Sequence, residues 1–235
     1  MLLLNNFFEN PSVFAGISDR SVDFTLDEKA PLLNPSQKDY LSDHTGVSIS
    51  ALAWAKQVHG EEVIKADEFF YRLPQLPEAD ALITNVPGVP LGVRSADCIP
   101  IFLFDPRKKA IGLVHAGWKG SQKQIARITC QRMQQEFGTE YNDILAVLGP
   151  AIRVCCYEVG EEFKNYFSPD AFQVNDGLYL DLIKVNRLQL LDLGLTRDQI
   201  FDCRVCTFCD ERFFSYRREK DKSGRMLSLM MLKEK

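Results

Sequence analysis

Three residues of this chain are of types that bind a soft metal ion, and each sits in a distinctive local sequence. His59 lies in Gln57-Val58-His59-Gly60, Cys98 closes Ser95-Ala96-Asp97-Cys98, and His115 opens His115-Ala116-Gly117-Trp118-Lys119-Gly120. The chain has only three histidines, so two of them fall in these contexts. Two imidazoles and a thiolate suit a tetrahedral zinc ion whose fourth position stays open to water or substrate. The same residue types also permit metal-free chemistry, with Cys98 as nucleophile and His115 as base. Asp97, beside the thiol, either orients a histidine, acts as an acid–base, or caps a turn. The turn at Gly117 and Gly120 leads into a helix, where backbone N–H groups favour an anion such as phosphate.

The segment joining two of these residues reads as a hairpin. Ile99-Pro100-Ile101-Phe102-Leu103-Phe104 runs into Asp105-Pro106-Arg107-Lys108 and out along Ala110-Ile111-Gly112-Leu113-Val114. Asp then Pro suits a type I turn, and a two-residue connection at Pro106-Arg107 pairs position 105 with 108. That register sets Cys98 directly opposite His115, with Cβ atoms roughly 4.5–5.5 Å apart. Pro100 costs a ladder hydrogen bond, which puts it at a strand start or on an edge. Nothing local brings His59 to the pair.

Further strands are expected at Ala81–Thr84, Pro90–Val93 and Ile144–Leu148. Helices are expected at about Ser121–Phe137 and Tyr179–Leu193, stopped by Gly138 and Gly194. Arg212–Tyr216 and Met226–Met231 flank a charged turn and suggest a second hairpin. Pro31 to Tyr40 and Leu73 to Pro77 read as loops. Strands and helices mix without strict alternation, which predicts an α+β fold built on mixed sheets. No linker divides the chain, so residues 1–235 are expected to form one domain.

Bulk properties narrow the function classes. A net charge of -4 over 235 residues argues against a nucleic-acid partner. No apolar run is long enough to span a bilayer, and Met1-Leu2-Leu3-Leu4-Asn5-Asn6 lacks the form of a signal peptide. A cytoplasmic protein, monomeric or weakly dimeric, is expected. Seven cysteines do not suggest a disulfide framework. Cys130 falls on an apolar helix stripe and belongs to the core. Cys203-x-x-Cys206-x-x-Cys209 reads as reduced thiols on a strand near the site; the lesser reading is a second metal, with Cys155 or Cys156 as fourth ligand. His44 reads as a surface residue, and Trp54 and Trp118 as packing residues.

Several ordered motifs resemble the YfiH family, also called the laccase-domain or polyphenol oxidase family. They are Trp54-Ala55-Lys56-Gln57-Val58-His59-Gly60, Ala79-Asp80-Ala81-Leu82-Ile83-Thr84-Asn85 and Ala96-Asp97-Cys98-Ile99-Pro100, followed by the His115–Gly120 stretch. Gly149-Pro150-Ala151-Ile152, Cys156-Tyr157-Glu158-Val159-Gly160 and Phe213-Phe214-Ser215-Tyr216-Arg217-Arg218 continue the match. The resemblance implies a zinc ion on His59, Cys98 and His115. It also implies phosphorolysis of adenosine, inosine, guanosine and methylthioadenosine, with adenosine deamination as a further activity. The implied fold is a three-layer α/β/β arrangement similar to the catalytic domain of cytotoxic necrotizing factors.

The chain departs from the family pattern at Ser18-Asp19-Arg20-Ser21-Val22, which lacks the usual glycines. It departs again at Lys119, where arginine is commoner, and at Arg153-Val154, which replaces a Gly-Pro-like segment. For phosphorolysis, Arg20, Lys119 and the amides after Gly117 are the candidates to hold phosphate. Two other chemistries stand beside this one. A cysteine or zinc hydrolase would act on an amide such as a peptidoglycan precursor. A copper oxidase is the minor alternative, because three histidines cannot build a multicopper set and no methionine follows at blue-copper spacing.

Overall fold

Apolar side chains alternate between the two faces of the long strands, and that alternation dictates the layering. The computed structural model describes residues 1–25, 32–46, 49, 52–67, 70 and 75–234. Among them the strands are β1 (Leu2–Leu3), β2 (Val13–Ile17), β3 (Val63–Lys65), β4 (Ala81–Thr84), β5 (Leu91–Ser95), β6 (Ile99–Asp105) and β7 (Ala110–Ala116). They continue with β8 (Leu145–Leu148), β9 (Glu158–Val159), β10 (Phe172–Val174), β11 (Leu178–Leu180), β12 (Ile200–Asp202) and β13 (Met226–Leu232). The helices are α1 (Pro35–Thr45), α2 (Trp118–Gln122), α3 (Ile125–Phe137), α4 (Leu182–Leu193) and α5 (Tyr216–Glu219).

A six-stranded sheet runs β12-β8-β6-β7-β4-β3, a four-stranded sheet β1-β2-β13-β5, and a small sheet β10-β11-β9. The largest is mixed, with β3 parallel to β4 and β12 parallel to β8. Ile99, Ile101 and Leu103 of β6 and Val114 of β7 pack with Ile125, Cys130 and Met133 of α3 and Ile183 and Leu190 of α4. Phe102 and Phe104 of β6, with Ile111 and Leu113 of β7, point the other way, onto Val13, Ala15, Leu91, Val93 and Met230 of the four-stranded sheet. Each such side chain contributes about 1.5–3 kcal/mol on burial. Helices, six-stranded sheet and four-stranded sheet therefore form three layers, as the family resemblance implies, on the mixed sheets that the α+β reading predicts. Leu41, Leu52 and Trp54 cover Phe14, Leu227 and Leu229 on the outer face of the smaller sheet. No helix among the described residues is long and apolar enough to cross a membrane.

Several expectations need correction. The hairpin between β6 and β7 has four connecting residues, not two, because Asp105 pairs with Ala110. The Asp105 carboxylate accepts the amides of Arg107 and Lys108 at 2.8 and 2.9 Å, and Lys109 takes a left-handed φ of 49°. Pro100 thus stands opposite His115, and Pro100 lies at the start of a central strand rather than on an edge. The slip is of two residues, so Cys98 and His115 keep the same face.

The stretch Pro31 to Tyr40 is not all loop. Pro35 occupies the first turn of α1, where its missing N–H costs nothing, and Asn34 and Gln37 form a reciprocal capping box. Pro31 itself, with Leu73 and Pro74 of the other expected loop, lies outside the described residues. The helix expected from Ser121 starts earlier, at Trp118, and breaks at Gln124, whose φ is 64°. Tyr179 belongs to β11, and α4 begins only after Asp181, whose carboxylate accepts from Lys184 N. The second hairpin does not form: Tyr216–Glu219 is helical, and β13 pairs with β2 and β5. Cys203 to Cys209 lies in the loop beyond β12, not on a strand. Cys130 is fully buried, and His44 is exposed on α1.

Candidate metal centre

Sheet register builds the first half of the site. Ala81 pairs with Val114, and His115 N–H donates to Asp80 O at 2.7 Å. Antiparallel neighbours project to one face, so the two side chains meet, with Asp80 Oδ1 2.8 Å from His115 Nδ1. The same buried carboxylate accepts the backbone N–H groups of Val58, His59 and Gly60 at 3.1, 3.0 and 2.6 Å. His59 has a φ of 57°, a left-handed backbone that costs a non-glycine residue free energy. The Gln57 amide clips this segment to β5, donating to Arg94 O at 2.7 Å and accepting from Arg94 N at 2.9 Å.

Cys98 completes the set from the residue before β6. A Cβ on Gly117 would fall 3.0 Å from both Cys98 Sγ and His59 Cδ2, so only glycine lets the turn approach the two side chains this closely. One ligand atom from each of His59, Cys98 and His115 lies within 4.8 Å of the others. Cys98 Sγ is 4.0 Å from His59 Nε2, and the two imidazoles meet edge to face with centroids 4.9 Å apart. A tetrahedral ion with Zn–S near 2.3 Å and Zn–N near 2.0 Å sets such atoms about 3.5 Å apart. A small closure therefore suffices, and the donor set fits a borderline-soft transition metal. Asp80 on Nδ1 leaves His115 Nε2 for the ion, the usual carboxylate–histidine–metal chain. His115 is buried, Cys98 half-buried and His59 exposed, so the centre opens to solvent on the His59 side.

Electrostatics agree with that role. Burial alone would push the Cys98 thiol up, but the neighbouring His115 imidazolium and then His59 bring it down to about 6. Burial likewise opposes charge on His115, yet the Cys98 thiolate and Asp80 raise it to about 9. Asp80 is held below the usual carboxylate range in spite of its burial, by His115 and the Gly60 amide. Without metal the centre is a thiolate–imidazolium pair.

The three residues line a cavity of about 700 Å³, a size suited to a small organic ligand. Trp118, Ile152, Tyr157 and Leu182 supply apolar walls, and Arg94, Arg217, Lys220 and Arg225 supply positive charge. Trp118 also packs against Phe163 and Tyr166, at centroid distances of 5.0 and 5.7 Å. Asp97 lines the cavity too, but it bonds neither histidine. Its Oδ1 accepts from Thr207 Oγ1 at 2.6 Å, and its Oδ2 from Ser215 Oγ at 3.1 Å and Arg217 N at 2.6 Å. Arg20 pairs with Glu219 at 3.2 Å and lies over the Phe214 ring, while Lys119 is exposed over Trp118. Neither is among the cavity-lining residues. The Gly117 backbone lies against Cys98 and His59, and the helix after it is only five residues long.

Sequence reasoning missed Asp80 as a site residue. It lies inside a quoted motif, but its role follows only from β4 pairing beside β7, which no local spacing announces. Arg217 and Tyr157 were likewise inside motifs and without a stated role.

Two outcomes follow. Asp80→Asn should retain the fold yet weaken Zn²⁺ binding about 10–100-fold in a competition titration against a chelator. In the metal-free protein His115 carries its proton below about 9, and Cys98 is ionised above about 6. Near neutral pH metal uptake must displace the His115 proton and not the thiol's. Zn²⁺ binding should then release about one proton per ion, with affinity rising as pH climbs toward the His115 value and levelling above it. Calorimetry in buffers of different ionisation enthalpy measures the count; a value near zero contradicts the pair.

Comparison with known proteins adds the family. The model described as multi-copper polyphenol oxidoreductase laccase matches residues 34–233. A purine nucleoside phosphorylase of Bacteroides thetaiotaomicron is 39% identical over 171 residues, covering 68% of this chain and 63% of that protein. The purine nucleoside phosphorylase YlmD of Bacillus subtilis is 35% identical over 215 residues, covering 84% and 76%. An adenosine deaminase from an unknown prokaryotic organism is 33% identical over 201 residues, covering 79% and 76%. The crystal structure of the hypothetical protein YfiH of Bacillus licheniformis superposes with a TM-score of 0.82 at 28% identity, covering 98% of this chain and 96% of that one. With its motifs, its layered fold and these relatives in agreement, the chain belongs to the laccase-domain (YfiH) family.

Proposed function

We propose that this protein is a zinc-dependent purine nucleoside phosphorylase, with adenosine deamination as a second activity of the same site. Residues 1–235 act as one catalytic domain, in the cytoplasm, as a monomer or weak homodimer. The observation that carries this reading is the joining of a soft three-ligand set, apolar aromatic walls and several cations in one cavity. Relatives named for both activities support it. Zinc on His59, Cys98 and His115 would supply Lewis acidity and a lowered pKa for a bound water.

The chain's own groups account for recognition. In phosphorolysis a phosphate oxygen bonds to the ribose anomeric carbon while the bond to the purine nitrogen breaks, giving ribose 1-phosphate and free base. Phosphate carries the charge, so the cations at the wall must hold it. Arg217 is the best placed, because Glu158 O accepts from its guanidinium at 2.9 Å and the guanidinium lies 5.3 Å from the Tyr157 ring centroid. We assign phosphate to Arg217, Lys220 and Arg225 in place of Arg20 and Lys119. Tyr157 and Trp118 flank the purine. Ser95 Oγ, buried at the cavity without a hydrogen-bond partner among the described residues, is available to a polar edge of the substrate. Asp97 positions the wall by holding Thr207, Ser215 and the Arg217 backbone.

A second reading draws on the Cys98–His115–Asp80 chain, which has the order of a nucleophile, a base and an orienting carboxylate. His59 at 4.0 Å from the thiol supports the metal reading over this one, since a nucleophile needs one base and an ion needs further ligands.

Purine release from adenosine and inosine decides the matter. It should require phosphate, vanish on metal removal, return with Zn²⁺, and fall at least about 100-fold in Cys98→Ala. Arg217→Ala should raise the KM for phosphate about tenfold and leave that for nucleoside nearly unchanged. Turnover that persists after complete metal removal, or amide hydrolysis abolished by alkylating Cys98 with no purine release, would overturn the proposal.

A further inference from the structure

Four thiols that the first centre does not use converge elsewhere. Cys155 and Cys156 lie in the loop after β8, between the cavity residues Ile152 and Tyr157, and Cys206 and Cys209 lie in the loop after β12. Cys156 Sγ is 3.3 Å from Cys209 Sγ and 3.5 Å from Cys155 Sγ, and Cys155 Sγ is 4.0 Å from Cys209 Sγ. With Cys206 included, the four sulfurs lie within 4.8 Å of one another. Cys203, the first thiol of the run, is outside this group.

Four thiolates around one ion at about 2.3 Å stand roughly 3.8 Å apart when tetrahedral. The observed spacings straddle that value. An iron–sulfur cluster distributes its thiolates over two or more irons, so it needs a wider set than this one. Cys206-Thr207-Phe208-Cys209 also has the two-residue spacing of a metal-binding turn. Cys155 and Cys209 are exposed, which gives an ion a route in.

We propose that Cys155, Cys156, Cys206 and Cys209 form a second, structural zinc site that clamps one wall of the cavity. All four ligands are protein thiolates, so no position is open for substrate. The clamp continues contacts that already join the two loops. Ala151 N donates to Val205 O at 3.3 Å, Thr207 N donates to Ala151 O at 3.0 Å, and Arg153 pairs bidentately with Asp202 at 2.8 Å for both bonds. Thr207 in turn bonds Asp97. The ion therefore fixes Ile152, Tyr157 and Asp97 relative to one another, independently of what the first centre binds.

Metal analysis of protein purified under reducing conditions tests this, because the two sites have separate ligands. Wild type should carry about two zinc ions per chain. The double variant His59→Ala/Cys98→Ala should keep one, and Cys206→Ser/Cys209→Ser should lose one. If the serine variant does not fold, cobalt loading of His59→Ala/Cys98→Ala gives the answer without touching the thiols. It should show the intense thiolate-to-metal charge transfer and ligand-field bands of a tetrahedral tetrathiolate. Those four thiols should resist alkylation until a chelator is added. The proposal is overturned if His59→Ala/Cys98→Ala holds no zinc and its cobalt form lacks those bands. It is equally overturned if Cys156 and Cys209 prove disulfide-linked in the reduced preparation, or if iron and inorganic sulfide are found in place of zinc.

Discussion

The buried carboxylate of Asp80 is the constraint on which the centre depends. It immediately precedes β4 and holds two other segments, the end of β7 through His115 and the loop 58–60 through three amides. Hydrogen bonds to a charged group are worth roughly 1.5–3 kcal/mol each. The left-handed backbone of His59 costs about 1–3 kcal/mol. Three amides on one carboxylate exceed that cost, so the strained geometry persists and His59 stays within reach of Cys98. Burying Asp80 without these partners would be prohibitive, which makes carboxylate, imidazole and loop mutually dependent.

A second carboxylate organises the facing wall. Asp97, itself at a left-handed φ of 85°, receives Thr207, Ser215 and the Arg217 amide. Its neighbour Cys98 belongs to the candidate metal centre, so one tight turn joins the two halves of the cavity. The four-thiol cluster lies in the same pair of loops, with Thr207 between Cys206 and Cys209. Sheet register thus sets Asp80 against His115, and loop contacts place His59 and the wall that faces the candidate ligands.

The strands from Ala81 to Leu148 were legible in sequence because they are continuous apolar runs bounded by turns. The face shared by Cys98 and His115 was also legible, since a two-residue slip preserves strand parity. What escaped was longer in range. Asp105 captured two amides of its own turn and lengthened the hairpin, which moved Pro100 opposite His115. Asp80 gained its role from a partner 35 residues away. The Cys206–Cys209 pair gave a recognisable spacing, but the choice of Cys155 and Cys156 over Cys203 depended on how two distant loops meet. Arg212–Tyr216 reads as a hairpin arm because a charged turn separates it from Met226–Met231; instead, Asp97 takes the Arg217 amide in the first turn of a helix.

Anomalous diffraction at the zinc edge, from crystals grown without chelator, tests the central claim most directly. The account predicts a peak bonded to His59, Cys98 and His115, with His115 Nδ1 still on Asp80 and the fourth position facing the cavity. A site without metal density, or an ion bound with His115 turned away from Asp80, would contradict it.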